Sequence, residues 1–381
     1  MTGFDRLKGV PRTEAVVDLD AIRQNVAVLK AGTPAAVMAV VKADGYGHGL
    51  LPAARAALAG GATWLGVAII DEALALRRAG ITAPVLAWLW TPRETATVRA
   101  AIGAGIDVSV NSLGALDAVT AAARELGTPA RVHLKIDTGL SRNGCTAADW
   151  PELVVATVKA QAAGEVEAIG VWSHFAYADE PGHPTITRQI GRFRDSLDAA
   201  ERAGLTPQVR HLANSAATLT LPEAHFDLVR PGIAVYGLSP VPGSFGLTAA
   251  MTLRAQLALA KRVAVGEGVS YGHVYTTERE TTLALVPLGY ADGVPRNATN
   301  VGPVSINGRR YRISGRVCMD QFVVDVGDAE VHAGDLAVLF GPGRDGEPTA
   351  QDWADALGTI HYEVVTRIGP RVVRTYVGGA G

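Results

Sequence analysis

Between Ala15 and about Gly246 the chain alternates repeatedly between short apolar runs and longer amphipathic stretches. The apolar runs include AVMAVV, WLGVAI, APVLAW, IDVSV, RVHLKID, VEAIGVWSHF and VRHLANS. The stretches between them have helical spacing. In LDAIRQNVAVLKAG, Ile22, Val26 and Leu29 share one face and Gly32 stops the helix; in DEALALRRAG, Asp71 reads as the N-cap. Strands alternating with helices specify βαβ units and a parallel sheet, since a parallel connection needs a crossover long enough to hold a helix. About eight such units fit, which favours a closed (β/α)8 TIM-type barrel over an open doubly wound sheet.

After Gly246 the pattern changes. MTLRAQLALAKRVAVGEGVSYG, TTLALVPLGY, GPVSINGRRYRISGRVCMDQFVVDVG and DLAVLFG read as strands joined by Gly-rich turns, with a hairpin signal at Asn307–Gly308 and one helix near residues 349–357. The expected division is therefore a barrel over residues 1–246 and a mostly-β domain over residues 247–381. A chain of 381 residues also exceeds the roughly 250–300 at which one core stops growing.

Composition removes several function classes. A net charge of -2 gives no basic footprint for nucleic acid. The two cysteines, Cys145 and Cys318, form no CxxC pair and suit a reducing compartment. No apolar run reaches the roughly 18 residues of a membrane span, and MTGFDRLKGVPRTEAV lacks a signal core, so a cytoplasmic location is expected. GPGRDG, Gly341 to Gly346, matches GxGxxG literally but sits in the β half and reads as a turn. HExxH and GxxxxGK[ST] do not occur, and no metal is expected.

Polar residues fall instead at the ends of barrel strands, where barrels build their sites. Lys42 ends a dry run and is followed by Gly45, Gly47 and Gly49, interleaved with Tyr46 and His48. Lys135 ends RVHLKID and Arg142 follows it; His174 ends IGVWSHF; His211, Asn214 and Ser215 end VRHLANS; Arg230 ends FDLVR. Late in the barrel, Asn214 and Ser215 stand at a helix start that favours an anion, and Gly232 and Ile233 offer close backbone amides. A lysine able to form an imine, with a phosphate cradle on the same rim, fits pyridoxal 5'-phosphate.

With VVKADGYGHG, KIDTGLSRNG, SHFAYADE, HLANSAA, VRPGIAVYGL, VSYGHVYTT, GYADGVPR, GRVCMDQFVVDVG and HYEVVTRIGPRV in this order, the chain resembles the bacterial alanine racemases over nearly its whole length. The resemblance implies a pyridoxal-phosphate-dependent barrel followed by a β domain, acting as a homodimer on L- and D-alanine and supplying D-alanine for peptidoglycan. It implies that Lys42 holds the cofactor covalently and that Tyr46, Asn214, Ser215, Gly232, Ile233 and Tyr362 bind its phosphate. Trp88 would lie beside its ring. Removing a Cα proton from one face and returning it on the other needs two groups; by resemblance these are Lys42 and, from the partner subunit, Tyr271, with His174 its neighbour and Arg230 behind. Arg230 would face the pyridine nitrogen, where an always-protonated group can only donate. Arg142 and the backbone N–H of Met319 would hold the substrate carboxylate, and Lys135 would be carbamylated. A racemase of serine or lysine, a decarboxylase of the same plan and a non-catalytic cofactor carrier are the alternatives. An acidic partner at the ring nitrogen would mark the decarboxylase, and loss of the β domain the carrier.

Overall fold

The computed structural model describes residues 11–379. It divides into two compact units, one of Ala21–Thr248 and one combining the residues up to Asp20 with those from Ala249 onward.

The first unit is an eight-stranded parallel barrel. Its strands, in chain order, are Ala36–Val40, Trp64–Val67, Val85–Ala87, Asp107–Val110, Ala130–Lys135, Val166–Trp172, Val209–His211 and Leu228–Val229. Each pairs with the next as far as the seventh, and the eighth pairs with the first through Ala36↔Leu228 and Val37↔Val229. Between the seventh and eighth the ladder is reduced to flanking bonds, from Asp227 N–H to the Arg210 carbonyl at 3.1 Å and from Arg230 N–H to the Ala213 carbonyl at 2.9 Å. The ring is therefore nearly closed. The expected helix at Leu19–Ala31 forms and buries Ile22, Val26 and Leu29. Asp71, expected as an N-cap, lies inside the first turn of helix Ile70–Arg78. The end of that helix is satisfied by Glu72, whose carboxylate accepts from the N–H groups of Ala68 (3.0 Å) and Ile69 (3.3 Å).

The second unit holds a six-stranded sheet in the order Arg309–Arg312, Pro303–Ile306, Leu336–Phe340, Met251–Gln256, Thr13–Asp18, Val373–Val377, and a three-stranded sheet of Leu259–Val263, Thr281–Val286 and Phe322–Gly327. Strand Thr13–Asp18 departs from the expected 1–246 barrel. It pairs antiparallel with Met251–Gln256 and parallel with Val373–Val377, so it belongs to the β unit. The hairpin at Asn307–Gly308 forms with φ of 49° and 76°, both positive as its tight turn requires. GPGRDG is a turn whose N–H groups at Gly343 and Asp345 are capped by the Glu347 carboxylate at 2.7 and 2.9 Å. Beyond the expected helix, found at Ala350–Leu357, a second one runs from His361 to Thr366 and carries Tyr362.

Candidate active site

The strand-end cluster starts at Lys42. The first barrel strand ends at Val40, and the chain then makes a left-handed turn with φ of 53° at Ala43, Asp44 and Tyr46 and 61° at Gly45. For L-residues this conformation costs about 1–2 kcal/mol each. Local bonds offset the cost. Gly45 N–H donates to the Val41 carbonyl at 2.9 Å and Gly47 N–H to that of Ala43 at 3.0 Å. The Glu72 carboxylate caps Ala43 N–H at 2.6 Å, and the Asp44 carboxylate caps Leu50 N–H at 2.7 Å. The turn fixes the root of Lys42, whose amine lies 5.9 Å from the Tyr46 ring centre and 5.8 Å from that of Trp88. Gly66 makes room for that tryptophan, since a Cβ there would come within 2.8 Å of it.

Burial, then the charge of Arg142, pulls the Lys42 amine below its ordinary pKa, against an opposing pull from Glu72. Lys135, buried with its amine 4.2 Å from the Trp172 ring centre, is lowered to about 7 by burial and then by Arg230 and Arg142. Arg142 is exposed on a loop that folds back on its strand. Cys145 N–H donates to the Lys135 carbonyl at 2.8 Å, and the Asp137 carboxylate gathers the N–H groups of Gly139, Leu140 and Ser141.

Arg230 is 5% exposed and makes four contacts, to the carbonyls of Ser173 (2.8 Å) and Leu212 (3.3 Å), to His174 Nδ1 (3.3 Å) and to His211 Nδ1 (3.1 Å). An arginine can only donate. Both Nδ1 atoms must therefore accept, and each neutral imidazole carries its proton on Nε2. Burial, and after it the charge of Arg230, holds both histidines well below their usual pKa, in agreement with neutral rings.

A second cluster adjoins the eighth strand. Asn214 caps helix Ser215–Thr220 by accepting from Ala217 N–H at 3.1 Å. Ser215 Oγ accepts from the N–H groups of Gly232 at 2.8 Å and Ala234 at 3.3 Å, which draws Ile233 in beside the helix start. A Cβ at Gly232 would overlap the Tyr46 hydroxyl, so only glycine lets that phenol reach this turn. Hydroxyls, an amide and close backbone thus meet beside the lysine turn, and this donor set suits a phosphate ester tethered to Lys42.

The barrel therefore brings together Lys42, Tyr46, Trp88, Lys135, Arg142, His174, Asn214, Ser215, Arg230, Gly232 and Ile233. Tyr271, Met319 and Tyr362 lie in the β unit. Tyr271 is 70% exposed on a turn whose φ is 62° at Ser270 and 69° at Gly272. Ser270 Oγ anchors that turn by donating to the Arg316 carbonyl at 2.7 Å. Met319 is exposed, and its carbonyl accepts from Ala291 N–H at 3.0 Å. Tyr362 leans on the His361 ring. Sequence reasoning missed Glu72, which supports the lysine turn, and the aromatic floor of Trp172, which stacks on His211 with 5.6 Å between ring centres. A buried tryptophan two residues before His174 was the available signal.

This fold and cluster define a two-unit barrel enzyme whose strand-end lysine is half-buried on a rim rich in cations. Residues 17–240 match the family model "Alanine racemase, N-terminal domain" and residues 250–376 match "Alanine racemase, C-terminal domain". The alanine racemase of Salinispora arenicola is 64% identical over 369 residues, covering 96% of this chain and 99% of that one. The crystal structure of alanine racemase from D-cycloserine-producing Streptomyces lavendulae superposes with a TM-score of 0.95 at 59% identity, covering 98% of each chain. That of the Streptomyces coelicolor alanine racemase gives 0.94 at 58% identity, covering 96% of this chain and 98% of that one. The chain belongs to the alanine racemase family and is an isomerase of that family. Among the described residues no helix is long and apolar enough to cross a membrane.

Proposed function

We propose that this protein interconverts L-alanine and D-alanine with pyridoxal 5'-phosphate held covalently by Lys42, in a homodimer whose partner subunit contributes Tyr271. One observation carries the reading. Lys42, Lys135, Arg142 and Arg230 are close enough to depress one another or the shared neighbour His174, with only Glu72 and Asp137 opposing. Such a cluster calls for anionic occupants, and a phosphate ester and an amino-acid carboxylate supply them.

Tyr46, Asn214, Ser215, Gly232, Ile233 and Tyr362 would hold the phosphate, and Trp88 would flank the ring. When bound, the cofactor supplies an electron sink that acidifies the substrate's Cα–H. Lys42, its amine pulled below the ordinary lysine range by burial and then by Arg142, would take or return the Cα proton on one face. The Tyr271 oxygen does the same from the opposite face. His174, with Nδ1 turned to Arg230, keeps an Nε2–H with which to donate to that oxygen. Arg142 and the Met319 N–H would hold the substrate carboxylate. Arg230 would donate a hydrogen bond to the ring nitrogen without giving up its proton, and so would leave that nitrogen unprotonated. An acidic partner there would mark the decarboxylase alternative.

Lys135, with a pKa of about 7, is partly a free amine at neutral pH. Carbon dioxide then adds to it, forming an N–C bond and releasing one proton, and the resulting carbamate anion would sit between Arg142 and Arg230. Carbon-13 NMR in labelled bicarbonate should show one carbamate resonance that is absent from Lys135→Met; an identical spectrum from both proteins removes the idea. We place the enzyme in the cytoplasm, making D-alanine for peptidoglycan. The deciding experiment supplies L-alanine in deuterated water with pyridoxal phosphate, and D-alanine labelled at Cα is expected. Recovery of unlabelled L-alanine alone would end the proposal.

A further inference from the structure

Inside the barrel, a run of hydrogen bonds leads away from Arg230 to the start of the fourth strand. His211 Nε2 lies 2.8 Å from His133 Nδ1, and His133 Nε2 lies 3.1 Å from Asp107 Oδ2. The Asp107 carboxylate, fully buried, is held from the other side by Arg131, at 2.6 Å from Nε and 3.2 Å from NH2. The chemistry of the two ends fixes every proton between them. Arg230 can only donate, so His211 Nδ1 accepts and its Nε2 carries the hydrogen. His133 Nδ1 must then accept, which leaves its Nε2–H to donate to Asp107. Asp107 stays ionised: burial pushes its pKa up, but His133 and Arg131 outweigh that and hold it low. Each bond therefore points the same way, from cation to anion.

The surrounding residues are shaped to this run. A Cβ at Gly170 would overlap the His133 ring, although Gly170 has no positive φ that would itself require glycine. The Trp64 edge meets the same ring at 5.6 Å, and Trp172 lies flat on His211.

We propose that Asp107 is a remote positioning residue, which through the ordered hydrogen bonds of His133 and His211 holds the Arg230 guanidinium in place at the active site. A histidine's free nitrogen is set by the bond its other nitrogen makes; here that dependence is passed through two rings in series. The functional consequence rests on the placing of Arg230 against the cofactor's ring nitrogen, but the tautomers do not.

The test uses the purified full-length protein with nitrogen-15-labelled histidine, read by long-range proton–nitrogen NMR. Both His133 and His211 should appear as neutral Nε2–H tautomers. His133→Leu should leave the His211 Nε2–H without its acceptor and shift that resonance, and should lower kcat about ten- to a hundredfold with KM within about threefold, the range known for losing the outer hydrogen-bond partner of a metal-binding histidine. His133→Gln has a carbonyl to accept from His211 and an amide to donate to Asp107, and should restore both the spectrum and most of the lost kcat. An Nδ1–H or doubly protonated His211 in the unaltered protein overturns the proposal. So does a His133→Leu protein with unchanged kcat and spectrum, or a Gln variant no better than Leu. Should His133→Leu not fold, the unaltered spectrum still decides. Should the protein not racemise alanine, the function falls, while the spectrum tests the hydrogen-bond run alone.

Discussion

Two turns carry the two proposed proton-transfer groups, and they are built alike but finished differently. Both depart from ordinary backbone: residues 43–46 before helix Leu50–Ala59, and Ser270, Gly272 and His273 around Tyr271, all with positive φ. Both are fastened by side-chain bonds to the backbone of another segment or to their own. The lysine turn delivers its side chain into a pocket already lined by Tyr46 and Trp88. The tyrosine turn leaves its ring 70% exposed. A strained, anchored turn that points an aromatic into solvent is costly unless something covers the ring. The contrast teaches that rigidity and completeness are separate properties, and that the second turn is prepared for an environment it does not itself supply.

The sharpest break of that contrast uses both lesions together. Lys42→Ala and Tyr271→Phe should each lower racemisation by roughly 10²–10⁴-fold or more, the range for losing a positioned acid–base group. Mixed dimers of the two should recover up to about half of normal activity, because one of the two shared sites keeps both groups. No recovery on mixing would place both groups within one chain. Lys42→Ala should also lose the bound cofactor's visible colour, while Tyr271→Phe, which removes only a hydroxyl, should keep it.

A smaller effect concerns pH. Lys135 titrates near 7 when folded against its ordinary 10.5, so between those values the unfolded chain holds a proton that the folded chain has shed. Stability must then rise with pH across that window, by about 1.4 kcal/mol per pH unit at most. Urea melts of cofactor-free protein at pH 7 and 9, with carbon dioxide excluded, should show it, and Lys135→Met should flatten it; equal slopes would show that the amine is not depressed. The smallest effect is at the strained turn. Ala43 is exposed at φ 53°, and Ala43→Gly should raise the unfolding free energy from urea melts, and with it the midpoint, by up to about 1 kcal/mol of stability. A lower midpoint would mean the turn holds no strain at that residue.

The βα period made the barrel legible, since Ala36–Val40 and its successors are apolar runs whose ends carry the polar rim. Strand Thr13–Asp18 looked like another member of that series, because alternation reports a strand but not the sheet it joins. Helix His361–Thr366 is too short for a 3.6-residue period to emerge. Glu72 was hidden for a different reason: its contact with Ala43 bridges 29 positions, which no local pattern encodes. Asp107 and His133 resembled punctuation within apolar runs, and only their closeness in the folded barrel gives them a common purpose.

The chain's first described strand has a consequence for synthesis. Its neighbours in the sheet, Met251–Gln256 and Val373–Val377, are made only after the whole of Ala21–Thr248. At about 5–20 residues per second the ribosome needs on the order of 10–50 s to cover that interval. Thr13–Asp18 waits through it with both hydrogen-bonding edges bare, while a complete barrel can close downstream. A bare strand edge is a template for pairing with another chain, so crowding of nascent chains is a hazard of this topology.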